Sequence, residues 1–140
     1  MHMSVDVRCE GVHTPTRSLK SDATKLLRHL NVDGELSVVL CDDPFIHALN
    51  KKWRGKDTAT DVLSFPMEEP GLLGDIVISI YTARRDRTPL RVLLVHGLCH
   101  LLGFDHEEEN AAIEMRTKET ELLTILGEPP VGLVERADRD

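Results

Sequence analysis

Long apolar runs are missing from this 140-residue chain. None approaches the roughly 18 residues that cross a bilayer, which excludes a membrane-spanning protein. Cysteine is scarce: Cys9, Cys41 and Cys99 are odd in number, widely spaced and without a C-x-x-C pair. That pattern excludes a disulfide framework and a cysteine zinc ribbon, and each thiol reads as buried and free. Collagen-type and low-complexity repeats are absent as well. The opening MHMSVDVRCEG has no basic segment followed by an apolar stretch, so no secretory signal is expected and the expected location is the cytoplasm. What is present, 41% hydrophobic and 29% charged residues, suits one globular domain with one core.

Positive charge is also in deficit, with 17 Lys and Arg against 24 Asp and Glu. Averaged over the chain, that balance argues against a nucleic-acid partner, because phosphates seek a basic surface. The deficit is local, however. Residues 105–140 hold 11 acidic and 4 basic residues, whereas residues 1–104 hold 13 of each. Two basic clusters stand out in the neutral part: Lys51, Lys52, Arg54 and Lys56 around Trp53, then Arg84, Arg85, Arg87 and Arg91. A site for an anionic ligand stays open.

Hydrophobic periodicity predicts an α+β order. SVDVRC at 4–9 alternates as a half-buried strand, and Leu19, Ala23, Leu26, Leu27 and Leu30 mark one face of a helix. LSVVLC at 36–41 reads as a strand. Asp43 and Pro44 then open a helix that ends at Gly55. DVLSF at 61–65 is a short strand stopped by Pro66. After a hairpin-like excursion, IVISI at 76–80 is β-branched, as a strand covered on both faces would be. Thr88 and Pro89 open a helix reaching Leu101, with Gly103 placed for a left-handed cap, and a last helix carries Ala112 to Leu126. The expectation is one domain over 1–127, a mixed sheet of about four strands packed with helices and a metal site at the end of a central helix. Residues 128–140 are expected to form a flexible acidic tail.

The chemistry concentrates in His96-Gly-Leu-Cys-His100-Leu-Leu-Gly103-Phe-Asp105-His106. On a helix, residues four apart lie about 40° apart around the axis and about 6 Å along it, so one metal ion can meet His96 and His100. A reversal at Gly103 can bring His106 to the same ion. Three neutral imidazoles suit Zn²⁺ and leave a fourth position for water, as a catalytic site requires. In the plainer reading, His96 and His100 merely occupy a partly polar helix face and His106 caps the next turn. His2, His13, His29 and His47 lack a partner at ligand spacing, and Cys99 is expected in the core. The spacing H-x-x-x-H-x-x-G-x-x-H resembles that of the metzincin peptidases, but Gly97 stands where those enzymes carry a glutamate base. A phosphodiester makes less strict use of such a base, which turns the reading toward phosphate chemistry.

Two blocks carry a more specific resemblance: LNKKWRGKDTATDVLSFP at 49–66, and GDIVIS at 74–79 continuing to HGLCHLLGFDH at 96–106. They resemble the YbeY-type endoribonucleases, metal-dependent enzymes of ribosomal RNA maturation. The resemblance implies a zinc-dependent, single-strand-preferring ribonuclease that trims 16S rRNA precursors and assists ribosome quality control. Its implied partners are rRNA precursors and ribosome or small-subunit proteins, with no membrane and no DNA. It places the zinc ligands on His96, His100 and His106, with His96 and Arg54 in the catalytic set. Arg54 would grip a phosphate bidentately. Trp53 reads as a core anchor, with base stacking as the other reading. Asp61, Ser64 and Asp75 are expected to orient backbone or ligands, and Asp105 either to support an imidazole or to cap the last helix. The segment TARRDRTPLRVLLV is shorter than in many relatives, and the tail beyond Gly127 has no counterpart to carry over. Two other readings remain: a ribosome-associated binding module with structural zinc, and a metallopeptidase using another carboxylate, such as Asp105, as base.

Overall fold

A computed structural model describes residues 2–129. The elements run β1 (Met3–Glu10), α1 (Arg17–Leu30), β2 (Gly34–Cys41), α2 (Asp43–Arg54), β3 (Val62–Pro66), β4 (Leu72–Ser79), α3 (Ile80–Arg85), α4 (Leu90–Leu101) and α5 (Glu109–Leu126). The four strands form one mixed sheet in the order β1-β2-β4-β3. β1, β2 and β4 are parallel, while β3 pairs antiparallel to β4 at the edge. The expected α+β architecture with a four-stranded mixed sheet is what forms. The proposed acidic tail lies, from residue 130 onward, outside the described residues.

One sheet face packs on α1 and α4, with α5 laid against those helices, through the main core, which includes Leu26, Leu27, Leu40, Ile76, Ile78, Leu94 and Leu122. The other face carries a smaller core of Val39, Cys41, Ile46, Leu63 and Val77 under α2. α4 is the central helix, and every residue from Val92 to Cys99 is buried, as a helix apolar on nearly all sides must be. Gly97 lets it settle onto the sheet. A Cβ built there would come within 2.8 Å of Ile76 Cγ2 and 3.0 Å of Ser64 Oγ. Ser64 Oγ instead donates to the Gly97 carbonyl at 3.1 Å, fixing the helix against β3.

Three local expectations need correction. Ile80 does not end a strand; it starts the short helix α3, with Ser79 Oγ accepting from the Thr82 N–H at 3.3 Å. β-Branched composition alone could not reveal a helix start hidden behind a serine cap. The N-cap of α2 is Asp42, whose Oδ1 accepts from the Phe45 N–H, and Asp43 is the first helical residue. Asp43 joins α2 to α3 by accepting from Ser79 Oγ, Thr82 Oγ1 and Arg85 Nη2, each within 2.7 Å. Finally, β4 begins at Leu72, so part of the expected excursion is strand.

Candidate metal centre and cleft

α4 places His96 and His100 one turn apart near its C-terminal end. Past Leu101 the chain turns sharply: the Gly103 N–H bonds to the His100 carbonyl, Gly103 has φ +98°, and the Phe104 N–H reaches back to the Cys99 carbonyl. A positive φ there is accessible to glycine at little cost. The next turn is closed by Asp105, whose Oδ1 accepts from the N–H groups of His106 (2.5 Å) and Glu107 (3.0 Å). The result sets His106 opposite the helical pair, with ring centroids 6.0 Å from His96 and 5.3 Å from His100.

One nitrogen from each imidazole lies within 4.8 Å of the others, and these three residues could hold a metal ion. His96 Nε2 and His100 Nε2 are 3.2 Å apart. Nitrogens about 2.0–2.1 Å from a tetrahedral zinc would be separated by about 3.3 Å, so the pair fits one ion. An all-imidazole donor set suits zinc, copper, iron or nickel. His96 is buried, while His100 and His106 are half-buried and open to the cleft.

Behind His96 stands Glu119 of α5. Its Oε2 lies 3.0 Å from His96 Nδ1, and both side chains are buried. A carboxylate accepting the Nδ1–H would leave Nε2 free to ligate a metal ion, the arrangement that orients many metal-bound histidines. Sequence reading missed Glu119. Its signal was a glutamate on the apolar face of α5, three residues before the buried Leu122 and four after the buried Met115.

The histidines open into a cleft of about 460 Å³ between the end of α4 and the edge strand β3. Arg54 lines the same cleft, donates from Nη2 to the Ser64 carbonyl at 2.6 Å and holds its guanidinium 5.3 Å from the Phe65 ring. Lys56 lines it too. Ser64 is buried and orients α4, in keeping with the expected supporting role. Asp61 is buried, and its carbonyl accepts from the Ser79 N–H. Asp75 lies on β4, away from the cleft lining. Asp105 does not cap the last helix, because Glu108 occupies the N-cap position of α5; its Oδ1 braces the turn that carries His106. Trp53 is no core anchor, being 60% exposed. Cys41 and Cys99 are buried free thiols. Burial pushes Cys41 up to about 12, with Asp42 and Asp43 adding to the effect. Burial, then the charge of Glu119, pushes Cys99 up as well. Both are therefore poor thiolate ligands.

Fold and site together define a small α+β protein with three histidines that could hold a metal ion, in a cleft lined by Arg54 and Lys56 as well as Asp105 and Glu107. Among known proteins, a sequence model of the family described as Endoribonuclease YbeY matches residues 5–127. The chain belongs to that family. It is 50% identical over 138 residues to the Endoribonuclease YbeY of an Anaeromyxobacter strain, covering 86% of this chain and 72% of the relative. The corresponding protein of Nautilia profundicola is 44% identical over 129 residues, 84% of this chain and 91% of that one. A chloroplastic Endoribonuclease YBEY from Arabidopsis thaliana is 48% identical over 118 residues, which is 74% of this chain but 20% of that longer protein. The solution structure of TM1509 from Thermotoga maritima superposes with a TM-score of 0.63 at 26% identity, covering 97% of this chain and 96% of that one.

Proposed function

We propose that this protein is a zinc-dependent endoribonuclease that cuts single-stranded RNA during 16S rRNA maturation and ribosome quality control in the cytoplasm. Its partners on this reading are rRNA precursors and ribosome or small-subunit proteins, without DNA. The observation that supports it best is the convergence of His96, His100 and His106 in one cleft with Arg54. When bound, zinc supplies a Lewis acid and an activated water for attack at the phosphodiester.

The chain's own residues do the rest. Glu119 fixes the His96 tautomer, Asp105 fixes the turn that presents His106, and Ser64 fixes the height of α4 on the sheet. Arg54 spends one N–H on the Ser64 carbonyl. Its other guanidinium N–H groups can grip a phosphate oxygen pair and offset the charge that grows at the scissile group. Peptide hydrolysis is the weaker reading. Position 97 has no room for a glutamate side chain, and Asp105 Oδ1 is taken by two backbone N–H groups.

The test is cleavage of a single-stranded rRNA precursor by metal-loaded protein beside His100→Ala and Arg54→Ala variants from identical preparations. The expected result is cleavage abolished by His100→Ala. Arg54→Ala should keep fold and metal and lose about 10- to 100-fold in kcat/KM, the worth of a charge-assisted hydrogen bond. Equal cleavage by all three would assign the activity to a contaminant. No cleavage, with zinc bound stoichiometrically, would favour the binding module.

A further inference from the structure

β3 is one of the two edge strands of the sheet, and its alternation separates two surfaces. Ser64 and Pro66 line the histidine cleft, whereas Phe65 and Met67 line a second groove of about 360 Å³ on the opposite face. Phe45, Leu49 and Trp53 of α2 wall that groove. Trp53 is 60% and Met67 43% exposed, so these large side chains are not buried in either core. Arg54 bridges the two surfaces, bonded to the Ser64 carbonyl and lying over the Phe65 ring. Arg8 and Asp75 also line the groove, and cations flank Trp53 along the chain: Lys51, Lys52, Arg54 and Lys56 fall within six residues, with Lys52 Nζ 5.0 Å from the Trp53 ring.

A flat aromatic wall beside several cations matches the two halves of a nucleotide, a base with a π-face and a phosphate with negative charge. We propose that this groove is a nucleobase subsite, in which an unpaired base next to the phosphate held at Arg54 crosses the β3 edge and stacks on Trp53. The proposal rests on the reading of the cleft as an RNA site. It also supplies a physical source of single-strand preference. Bases stacked inside a duplex cannot splay out onto a side chain, whereas those of a single strand can.

Trp53 is the chain's one tryptophan, so intrinsic emission reports this groove directly. The protein is titrated with a short 2′-O-methyl single strand and, separately, with a chain of the same phosphate number carrying abasic units. Binding of each is followed by anisotropy of an end label in parallel samples. The expected result is quenching of Trp53 that saturates with the anisotropy signal for the base-bearing strand, and binding without quenching for the abasic chain. Trp53→Ala should weaken binding of the base-bearing strand about tenfold, as loss of a stacking platform does. The same variant should raise KM for cleavage with kcat nearly unchanged, and Trp53→Phe should restore most of the loss. Circular dichroism checks that the variants keep their fold. Binding of both chains with unchanged emission, or equal binding by Trp53→Ala, would overturn the subsite while leaving the RNA reading intact. Absence of any RNA binding would overturn both. Emission that shifts with protein concentration alone would assign the groove to a second copy of the chain and overturn the subsite.

Discussion

Glu119 Oε2 and His96 Nδ1 lie 3.0 Å apart in a buried pair that ties α5 to the histidine-bearing end of α4. Removing the carboxylate leaves a buried imidazole N–H without its acceptor and lets the ring turn or change tautomer. Glu119→Ala is expected to weaken zinc binding about 10- to 100-fold, the usual effect of deleting a partner behind a metal ligand. Competition against a chromophoric chelator measures this. Unchanged affinity would show that the pair serves packing alone.

Metal removal separates a catalytic ion from a structural one. The histidines hang on a helix that is already buried on nearly all sides by its own core contacts. Chelation is therefore expected to leave far-ultraviolet circular dichroism unchanged and abolish RNA cleavage, with zinc restoring it. Melting should shift upward with added zinc as mass action requires, by about 2.7 kcal/mol of stability at a hundredfold excess over Kd. Global unfolding on chelation would instead support the binding module with structural zinc.

Gly97 is a packing constraint as well as the missing glutamate. An added methyl would gain about 1 kcal/mol of helix propensity but meets Ile76 Cγ2, a branch close to the backbone that has little freedom to move. Overpacking typically costs about 1–3 kcal/mol. Gly97→Ala is thus expected to lower stability by about 1 kcal/mol, read from urea unfolding. Gly97→Glu is expected to misfold rather than gain peptidase activity. A stable Gly97→Glu variant that cleaves peptides would refute this account.

The Asp43 cluster predicts an acid-side loss of stability. Burial works to raise this carboxyl, but hydrogen bonds from Ser79, Thr82 and Arg85 outweigh it and hold the group below the usual carboxylate range. With its pKa lower in the folded state, the group contributes stability that is fully present above its unfolded value of about 3.9. That contribution is lost as pH falls through the folded value. Stability of the natural protein should therefore drop below about pH 4 more steeply than that of Asp43→Asn. Parallel curves for the two proteins would remove Asp43 from the account.

Much of this molecule follows from local chemistry that needs no neighbours. The i, i+4 spacing of His96 and His100, the glycine at 103 and the apolar stripe of α1 each act within a few residues, so periodicity and turn chemistry reveal them. The charge imbalance of residues 105–140 and the basic cluster around Trp53 are likewise properties of the chain itself. Tertiary structure decided what depends on distant partners. Glu119 reaches His96 across 23 positions, Ser64 reaches Gly97 across 33, and Asp43 gathers Ser79, Thr82 and Arg85 from a helix hidden in a β-branched run. Trp53 could end an amphipathic helix either inward or outward. Only the packing of α2 on the sheet left it exposed beside Phe65 and Met67. A side chain's periodicity places it on a face of its own element. Whether that face is covered depends on the other elements, and the chain assembles them only on folding.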